Sequence, residues 1–389
     1  MYLHSAGRSA YVEAVLLGRI TRSPILPVTA RRDFIAFVSP ESVGDFRDDW
    51  EGYKAVLGSN LAGPVSSEPV PAVYEVPSLE YLADGDVVRL LPSGTVHTLY
   101  RRNSRHNTIL ATERCNSLCL MCSQPPRSED DSYRVADILN LIELIDPGCQ
   151  EIGISGGEPT LLGADLLRII DKFESYLPRT ALHVLTNGRL FKDREFADRL
   201  GAIGHHDLML GIPLYSDIDS QHDYVVQASG AFAETVAGLY NLARAGVAIE
   251  IRVVLHLQTY KRLPQLAEHI YRNFPFVAQV ALMGMEMFGY VHRNFADLWI
   301  DPFDYQAELE EATITLALRG LSVSIYNHQL CTIPPAIWPF ARKSISDWKN
   351  IYLEECQACS MKELCGGFFH SAAKKHSAHI HAFPQTMKC

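Results

Sequence analysis

Three closely spaced cysteines constrain this chain more than any other feature. They occupy the stretch Thr112–Cys122 at the spacing C-x3-C-x2-C, directly after the run Thr108–Ala111. A tight loop with this spacing can direct three thiolates at one centre, but it leaves that centre without a fourth protein ligand. Thiolates are soft ligands that suit iron–sulfur clusters and zinc. The loop therefore predicts a metal centre with one open position, held by Cys115, Cys119 and Cys122.

A structural zinc loop and three cysteines that simply pack in a core are the alternative interpretations. Zinc loops usually combine a C-x2-C pair with a distant second pair, whereas these three thiols form one local set. We therefore favour an iron–sulfur cluster in which one iron lacks a protein ligand and is open to substrate chemistry.

A glycine-rich turn forms the second motif. The segment Ile152–Thr160 reads I-G-I-S-G-G-E-P-T, an apolar strand pattern that runs into two glycines, an acid and a proline. Glycines at the end of a strand let another molecule approach the backbone closely. Taken alone, the turn fits any strand-to-helix connection. Its position one predicted β/α unit after the cysteine loop makes it more specific.

Together the two motifs resemble those of the radical S-adenosylmethionine (radical SAM) superfamily. In that superfamily C-x3-C-x2-C follows the first strand of a partial β/α barrel, and Gly-Gly-Glu follows the second. The resemblance implies that the three cysteines hold a 4Fe–4S cluster, whose open iron binds the amino and carboxylate groups of S-adenosylmethionine (SAM). It also implies that Gly156, Gly157 and Glu158 contact the methionyl amino group.

Four further positions carry expected SAM contacts by the same resemblance. Asn187 and Ser216 stand where the superfamily often contacts the ribose or the methionyl group. Arg252 is a candidate for the SAM carboxylate, with a salt bridge at a strand end as the alternative. The position before the third cysteine is usually aromatic and packs against adenine, but here it is Met121. The polarizable thioether can make similar contacts.

Composition excludes several classes of function. The 389 residues are 47% apolar, which is enough for two or three domains. The net charge of −10 argues against a nucleic-acid partner. No apolar stretch approaches the roughly 20 residues that span a bilayer, and no signal peptide is evident. We therefore expect a cytoplasmic, reduced protein in which the nine cysteines indicate thiolate sites and not a disulfide framework.

The sequence pattern predicts an α/β chain of three regions. Residues 1–105 form a β-rich accessory domain, for which peptide docking and a purely structural cap are both open. Residues 106–295 alternate strand and helix patterns, which predicts a partial (β/α)6 barrel. The loops after its strands build the active site in folds of this kind. The six predicted strands cover residues 107–112, 150–155, 181–186, 207–213, 247–255 and 277–283.

Residues 296–389 contain a second group of cysteines and are predicted to form a small iron–sulfur domain. Cys356, Cys359 and Cys365 follow the pattern C-x2-C-x5-C, with glycines directly after it. The pattern resembles the auxiliary cluster domains of peptide-modifying radical SAM enzymes, the SPASM and shorter twitch types. The larger domains often have a further cysteine where this chain has Phe369. The resemblance therefore implies one auxiliary iron–sulfur cluster.

The fourth ligand of this auxiliary cluster would be Cys331 or Cys389. Chain ends are usually poorly ordered, so we favour Cys331 over the terminal Cys389. A zinc site with four thiolates is the alternative.

The chain as a whole resembles the C-type maturase of bacterial His-Xaa-Ser peptide systems. The resemblance rests on the β-rich N-terminal region, the segments Thr112–Ser117 and Ser123–Pro126, and the ending Cys365–Phe369. It implies an enzyme that modifies a ribosomally made precursor peptide by an oxidative reaction such as a crosslink. A second radical SAM maturase and an electron donor such as flavodoxin or ferredoxin are the further partners it implies. No residue is assigned as a general base.

Two other functions remain open. One is a radical SAM enzyme that acts on a small molecule or an RNA base, although the acidic net charge weakens the RNA version. The other is a cluster-bearing partner that supports a second maturase without turnover. The intact Gly156–Glu158 motif argues against this last possibility.

Overall fold

The computed structural model describes residues 3–47, 49–66, 69–77, 79–343, 351–373 and 375–384. The chain divides into two compact units. The first unit contains Met1–Ile109, Ser132–Ile152 and Lys172–Thr180, and the second contains Leu110–Asp131, Gly153–Asp171 and Ala181–Cys389. The domain boundaries predicted at residues 105 and 295 stay predictions.

An eight-stranded mixed sheet forms the first unit, in keeping with the β-rich pattern of its sequence. Its strands are β1 Leu3–Ala6, β2 Arg8–Ala10, β3 Leu16–Thr21, β4 Phe34–Val38, β5 Ala55–Ser59, β6 Ala72–Val76, β7 Val87–Leu90 and β8 Thr95–Tyr100. They are ordered β1-β8-β7-β3-β4-β5-β6-β2. The central strands β3 to β6 pair in parallel. Buried apolar side chains, among them Ile20, Ile35 and Leu57, form the core of this unit.

The two ends of this sheet are made by neighbouring segments of the chain. Only Gly7 separates β1 from β2, and a Cβ at Gly7 would lie closer than 3.0 Å to the carbonyl oxygen of Tyr74. The run that contains both strands therefore pairs with β8 through β1 and with β6 through β2. The peptide-docking role and the structural-cap role of this region both stay predictions.

A seven-stranded sheet carries the sequence motifs. Its strands are β9 Asn107–Thr112, β10 Glu151–Gly156, β11 Ala181–Leu185, β12 Leu208–Pro213, β13 Ala248–Leu255, β14 Gln279–Gly284 and β15 Val323–Tyr326. They are ordered β15-β14-β13-β12-β11-β10-β9, and successive strands from β11 to β15 pair in parallel. The first six agree with the predicted strands to within a residue or two.

The number of strands corrects the six-stranded prediction. The seventh strand, β15, comes from the region that we assigned to the auxiliary domain, and it pairs in parallel with β14. Strands β9 and β15 lie at opposite ends of the order. The described sheet is therefore open, and the fold class is α/β without a closed barrel.

Helices alternate with these strands. They are α1 Tyr133–Leu144, α2 Ala164–Tyr176, α3 Arg194–Ile203, α4 Asp219–Val226, α5 Ala231–Arg244, α6 Leu263–Asn273, α7 Phe295–Leu298 and α8 Gln306–Leu318. Helix α6 shows the amphipathic pattern, since Leu263, Leu266, Ala267 and Ile270 are buried at helical spacing. Every described helix is too short or too polar to cross a lipid bilayer.

Strand β13 shows how the sheet separates an apolar face from a polar one. Ile249, Ile251, Val253 and Leu255 are all buried on one face. Alternation along the strand places Glu250 and Arg252 on the other face. Arg252 is thus a predicted site residue on a strand, whereas the first three cysteines, Glu158, Asn187 and Ser216 lie in loops that follow strands.

Candidate metal centres and cofactor site

Asp131 fixes the start of the cysteine loop. Its carboxylate is 4% exposed. It accepts hydrogen bonds from the Thr112 hydroxyl at 3.0 Å, the Glu113 N–H at 2.5 Å and the Arg114 Nε at 3.2 Å. Asp131 comes just before α1, and it ties the end of β9 to the far end of the same loop. The sequence motifs did not identify this residue.

Backbone hydrogen bonds hold the remainder of the loop. The Leu118 N–H donates to the Val226 carbonyl at 3.1 Å, and the Leu120 N–H donates to the Val225 carbonyl at 2.9 Å. The Cys122 carbonyl accepts from the Tyr290 N–H at 2.8 Å. The loop is thus attached to the end of α4 and to the segment after β14, and the three cysteines project from a fixed backbone.

Cys115, Cys119 and Cys122, the first thiol set, are all unpaired and partly exposed. Burial raises the pKa of Cys115 to about 11 and that of Cys119 to about 12, and neighbouring thiols raise both further. These thiols must lose their protons to bind a metal.

The spacing of the first thiol set fits a cluster better than a single ion. Among the described residues, the three sulfurs do not form a group within 4.8 Å of one another. One tetrahedral zinc ion would bring its sulfur ligands to about 3.8 Å from one another. Thiolates that bind separate irons of a cluster need no such close approach.

The Gly-Gly-Glu motif lies directly against the cysteine loop. A Cβ at Gly156 would lie closer than 3.0 Å to the Thr112 carbonyl oxygen, and one at Gly157 equally close to the Arg114 carbonyl. The N–H groups of Gly157 and Glu158 donate to those same carbonyls, each at 2.8 Å. The sequence predicted that these glycines let another molecule approach the backbone. In the structure, the backbone of the cysteine loop lies against them.

Glu158 joins two loops through a fully buried carboxylate. It accepts from the Thr160 N–H at 2.9 Å, the Thr160 hydroxyl at 2.5 Å, the Thr186 hydroxyl at 2.6 Å and the Asn187 N–H at 2.6 Å. Burial raises the pKa of Glu158, and these hydrogen bonds oppose the rise. Both carboxylate oxygens therefore already accept hydrogen bonds from the protein. A direct contact between this side chain and SAM stays a prediction.

The loop after β11 also meets the cysteine loop. Asn187 Nδ2 donates to Asn116 Oδ1 at 2.6 Å. Arg189 Nη1 donates to the Asn116 carbonyl at 2.6 Å and to the Ser117 hydroxyl at 3.0 Å, while its Nε pairs with Glu234 at 2.7 Å. The structure therefore brings Asn187 beside the first thiol set, and it adds Arg189, which the sequence did not single out.

Ser216 and Arg252 already have partners within the protein. Ser216 is 1% exposed, and its hydroxyl donates to Gln221 Oε1 at 2.9 Å. Arg252 forms a 2.7 Å salt bridge with Glu250, and its Nη2 lies 3.2 Å from the sulfur of Met283. The salt bridge that was the alternative for Arg252 is present, and the SAM contacts of both residues stay predictions.

The Arg252 pair belongs to a charged cluster on the polar face of the sheet. His183 Nε2 lies 3.4 Å from the Glu250 carboxylate. Burial would raise the pKa of Glu250, but His183 and Arg252 bring it below its ordinary value. A Cβ at Gly211 would lie 2.9 Å from Arg252 Cδ and 3.0 Å from His183 Nε2. Gly211 therefore leaves the space in which the cluster assembles.

Met121 belongs to an apolar cluster beside the thiols. It is 8% exposed and packs in a group that includes Tyr215 and Met287, with Cys119 against it. Met121 replaces the aromatic residue that is usual in the superfamily, and its side chain lies in an apolar environment.

Four cysteines of the C-terminal region line one cavity. They are Cys331, Cys356, Cys359 and Cys365, the second thiol set. Burial raises the pKa of Cys331 to about 11, with further contributions from the thiols of Cys365 and Cys356. The Phe383 N–H donates to the sulfur of Cys359 at 3.4 Å. Cys389, the other candidate ligand, lies outside the described residues.

The second thiol set, like the first, does not form a tight group of sulfurs in the described part of the chain. No three of its described sulfurs form a group within 4.8 Å of one another, so the arrangement is wider than a single zinc ion requires.

Comparison with known families identifies the central part of the chain. Residues 109–270 match the family model described as the Radical SAM superfamily. The chain therefore contains a radical SAM superfamily domain, and this family implies a 4Fe–4S cluster and SAM as cofactors.

Curated relatives match a short part of the chain. A GTP 3',8-cyclase of Campylobacter jejuni subsp. doylei is 36% identical over 101 residues, which cover 24% of this chain and 31% of the cyclase. The GTP 3',8-cyclase of Desulforamulus reducens is 31% identical over 104 residues, covering 24% of this chain and 30% of that protein. The match thus spans less than a third of either cyclase.

Solved structures give a looser likeness. Streptococcus suis SuiB has a TM-score of 0.46 at 16% identity, covering 58% of this chain and 50% of SuiB. The structure described as native anSMEcpe with bound AdoMet and Cp18Cys peptide has a TM-score of 0.43 at 15% identity, covering 56% of this chain and 62% of that one. A likeness at this level does not extend to activity or substrate.

Proposed function

We propose that this chain, with its radical SAM superfamily domain, modifies a ribosomally made precursor peptide of the His-Xaa-Ser type. The enzyme would take a hydrogen atom from a peptide carbon and leave an oxidative modification such as a crosslink. The observation that carries the proposal is the presence of two separate thiol sets. The first has three cysteines on one loop, and the second has four around one cavity.

The two thiol sets fit two different tasks. Three thiols leave one iron of a 4Fe–4S cluster open for SAM, whereas four thiols can supply every protein ligand of a second cluster. When bound, the first cluster and SAM supply the radical that takes the hydrogen atom, and a second cluster supplies an acceptor for the electron that the peptide must lose. Asp131 and Gly157 hold the cysteine loop in place, and the Met121 cluster excludes water beside it.

A cavity in the second unit supports a peptide as the substrate. It lies at the ends of β14 and β15, where Met285, Glu286 and Asn327 line it. It shares Gln329 with the cavity of the second thiol set, and it is also lined by Gly366, which directly follows Cys365. Trp299 and Phe368 give it an aromatic wall suited to peptide side chains.

A second candidate is a radical SAM enzyme that acts on a small molecule. The partial likeness to the GTP 3',8-cyclases favours it. A cluster-bearing partner of a second maturase, without turnover of its own, is the third candidate. SAM cleavage by the isolated protein would exclude that last role.

The test is mass spectrometry of the precursor peptide after co-expression with the protein, its second maturase and a flavodoxin- or ferredoxin-type electron donor. We expect the wild-type protein to lower the peptide mass by about two hydrogens per event. Cys359→Ala removes one ligand of the second thiol set, so this variant should not form the full product.

Two outcomes would contradict this expectation. An epimerised or methylated peptide, without the loss of two hydrogens, would rule out the oxidative reaction. Full product with Cys359→Ala would show that the second thiol set is structural.

A further inference from the structure

A segment near the C-terminus lies against the second thiol set. Residues 377–383, which the structure describes throughout, form this C-terminal strap and contain neither helix nor strand. His381 and Phe383 of the strap line the same cavity as the four cysteines. Backbone N–H groups that no helix or strand uses need other acceptors. For two of the strap's N–H groups the acceptor is a cysteine sulfur.

Each of these two N–H groups meets a different cysteine of the second thiol set. The Phe383 N–H donates to the sulfur of Cys359 at 3.4 Å. A hydrogen bond from the His381 backbone lowers the pKa of the Cys331 thiol and opposes the effect of its burial. A donor to a thiolate stabilises its negative charge. The strap thus supplies donors to two of the four predicted ligands.

The beginning of the strap is attached to the segment before α8. The Ala378 N–H donates to the Asp301 carboxylate at 2.9 Å, and the same carboxylate accepts the Phe303 N–H at 3.0 Å. The ring of His379 stacks on the ring of Phe303, with 3.8 Å between the ring centroids. These contacts hold one end of the strap in a fixed position.

The other end of the strap is attached to the segments that carry the cysteines. The Phe383 carbonyl accepts the N–H of Ser360 at 3.1 Å, and Ser360 directly follows one cysteine of the set. The Phe383 ring packs edge-on against Trp338, with 5.2 Å between the ring centroids. The Trp338 indole donates to the carbonyl of Leu330 at 3.0 Å, and Leu330 directly precedes another cysteine of the set. The N–H of Phe383 is therefore held in place beside its sulfur.

Hydrogen bonds of this kind change how readily a cluster takes up an electron. Reduction adds one negative charge to the cluster and its sulfurs. An N–H donor stabilises that added charge, so it raises the reduction potential of the cluster. Burial has the opposite effect, because it disfavours the added charge. Donors from the strap therefore act in the direction that an electron acceptor at this site requires.

We propose that the C-terminal strap raises the reduction potential of the second cluster, through N–H donors that it places on the sulfurs of Cys359 and Cys331. The proposal rests on the proposed function, because it requires an iron–sulfur cluster at the second thiol set. In that function the peptide radical loses one electron to the second cluster and one proton to water as the modification forms. The strap makes this transfer of the electron more favourable.

The test is a redox titration of the reconstituted full chain, followed by electron paramagnetic resonance. The three cysteines of the first thiol set are replaced by alanine, so that the signal comes from the second cluster alone. Phe383→Pro removes the N–H donor and retains the carbonyl that Ser360 uses, whereas Phe383→Leu retains the N–H and removes the ring. We expect the cluster of Phe383→Pro to be about tenfold harder to reduce than that of Phe383→Leu, which is a shift of about 59 mV to lower potential.

His381→Pro should shift the potential in the same direction, and His381→Ala, which retains the N–H, should not. Equal potentials in the proline variants and their controls would overturn the inference and leave the proposed function standing. If Phe383→Pro does not retain its iron, an ester in place of the amide at the Phe383 nitrogen removes the N–H and keeps the ring, and its potential decides the question. Zinc in the second thiol set of the wild-type protein would instead remove the proposed electron acceptor, and this inference with it.

Discussion

Gly157→Ala should release the first cluster and leave the second in place. A Cβ at Gly157 would lie closer than 3.0 Å to both the carbonyl oxygen and the carbonyl carbon of Arg114. Neither backbone can yield easily, because the Gly157 and Glu158 N–H groups also hold this part of the loop. The segment that carries Cys115 must therefore shift. We expect anaerobically reconstituted protein to fall from about eight irons per chain to about four, and the free energy of unfolding to fall by about 1–3 kcal/mol.

Iron and sulfide analysis with absorbance spectra checks this result. Gly44→Ala is the matched control, since a Cβ at Gly44 would meet nothing within 4 Å. The triple variant with Cys115, Cys119 and Cys122 replaced by alanine should give the same residual spectrum as Gly157→Ala. Full iron content and wild-type SAM affinity in Gly157→Ala would show that this glycine does not fix the loop.

Cys331→Ser should remove the second cluster and leave the SAM-binding one. Cys331 lines one cavity with the other three cysteines of the second thiol set, so its loss leaves one iron of that cluster with neither a protein ligand nor SAM to hold it. We expect about four irons per chain in this variant. Electron paramagnetic resonance of its reduced form should still respond to SAM, because the first thiol set is intact.

Two cysteines outside the sets give the controls for this experiment. Cys149 has its sulfur 3.5 Å from the Glu151 carbonyl and belongs to the first unit, so Cys149→Ala should retain all of its iron. Cys389→Ala should also retain it. Loss of iron in Cys389→Ala but not in Cys331→Ser would show that Cys389, and not Cys331, is the fourth ligand of the auxiliary cluster. Stoichiometric zinc with the iron of a single cluster would refute the auxiliary cluster.

Local sequence patterns were sufficient for the strands that carry the site. The six predicted strands are largely apolar runs, and four of them end at or directly before glycine, asparagine or proline, so their positions can be read locally. The place of the seventh strand, Val323–Tyr326, in the sheet could not be predicted in this way. Its pairing with β14 joins segments that are distant in sequence, and no periodicity reports such a contact.

Side-chain roles were harder to predict for the same reason. The sequence identified Gly157 as a glycine that permits close approach, but it could not show that Arg114 is the neighbour. The partners of Asp131 lie 17 to 19 residues earlier in the chain. The Glu158 carboxylate accepts hydrogen bonds from the Thr186 hydroxyl and the Asn187 N–H. These donors lie 28 and 29 residues after Glu158 in the sequence. Such contacts depend on which loops the fold brings together.

Hydrogen transfer from the peptide tests the central claim most directly. A precursor peptide labelled with deuterium on carbon would be incubated with reduced, reconstituted protein and SAM. The account predicts deuterium in the 5′-deoxyadenosine that is released, and none with Cys122→Ala, which lacks one ligand of the first thiol set. If the wild-type protein releases 5′-deoxyadenosine in the presence of the labelled peptide, and this product contains no deuterium, the account is wrong.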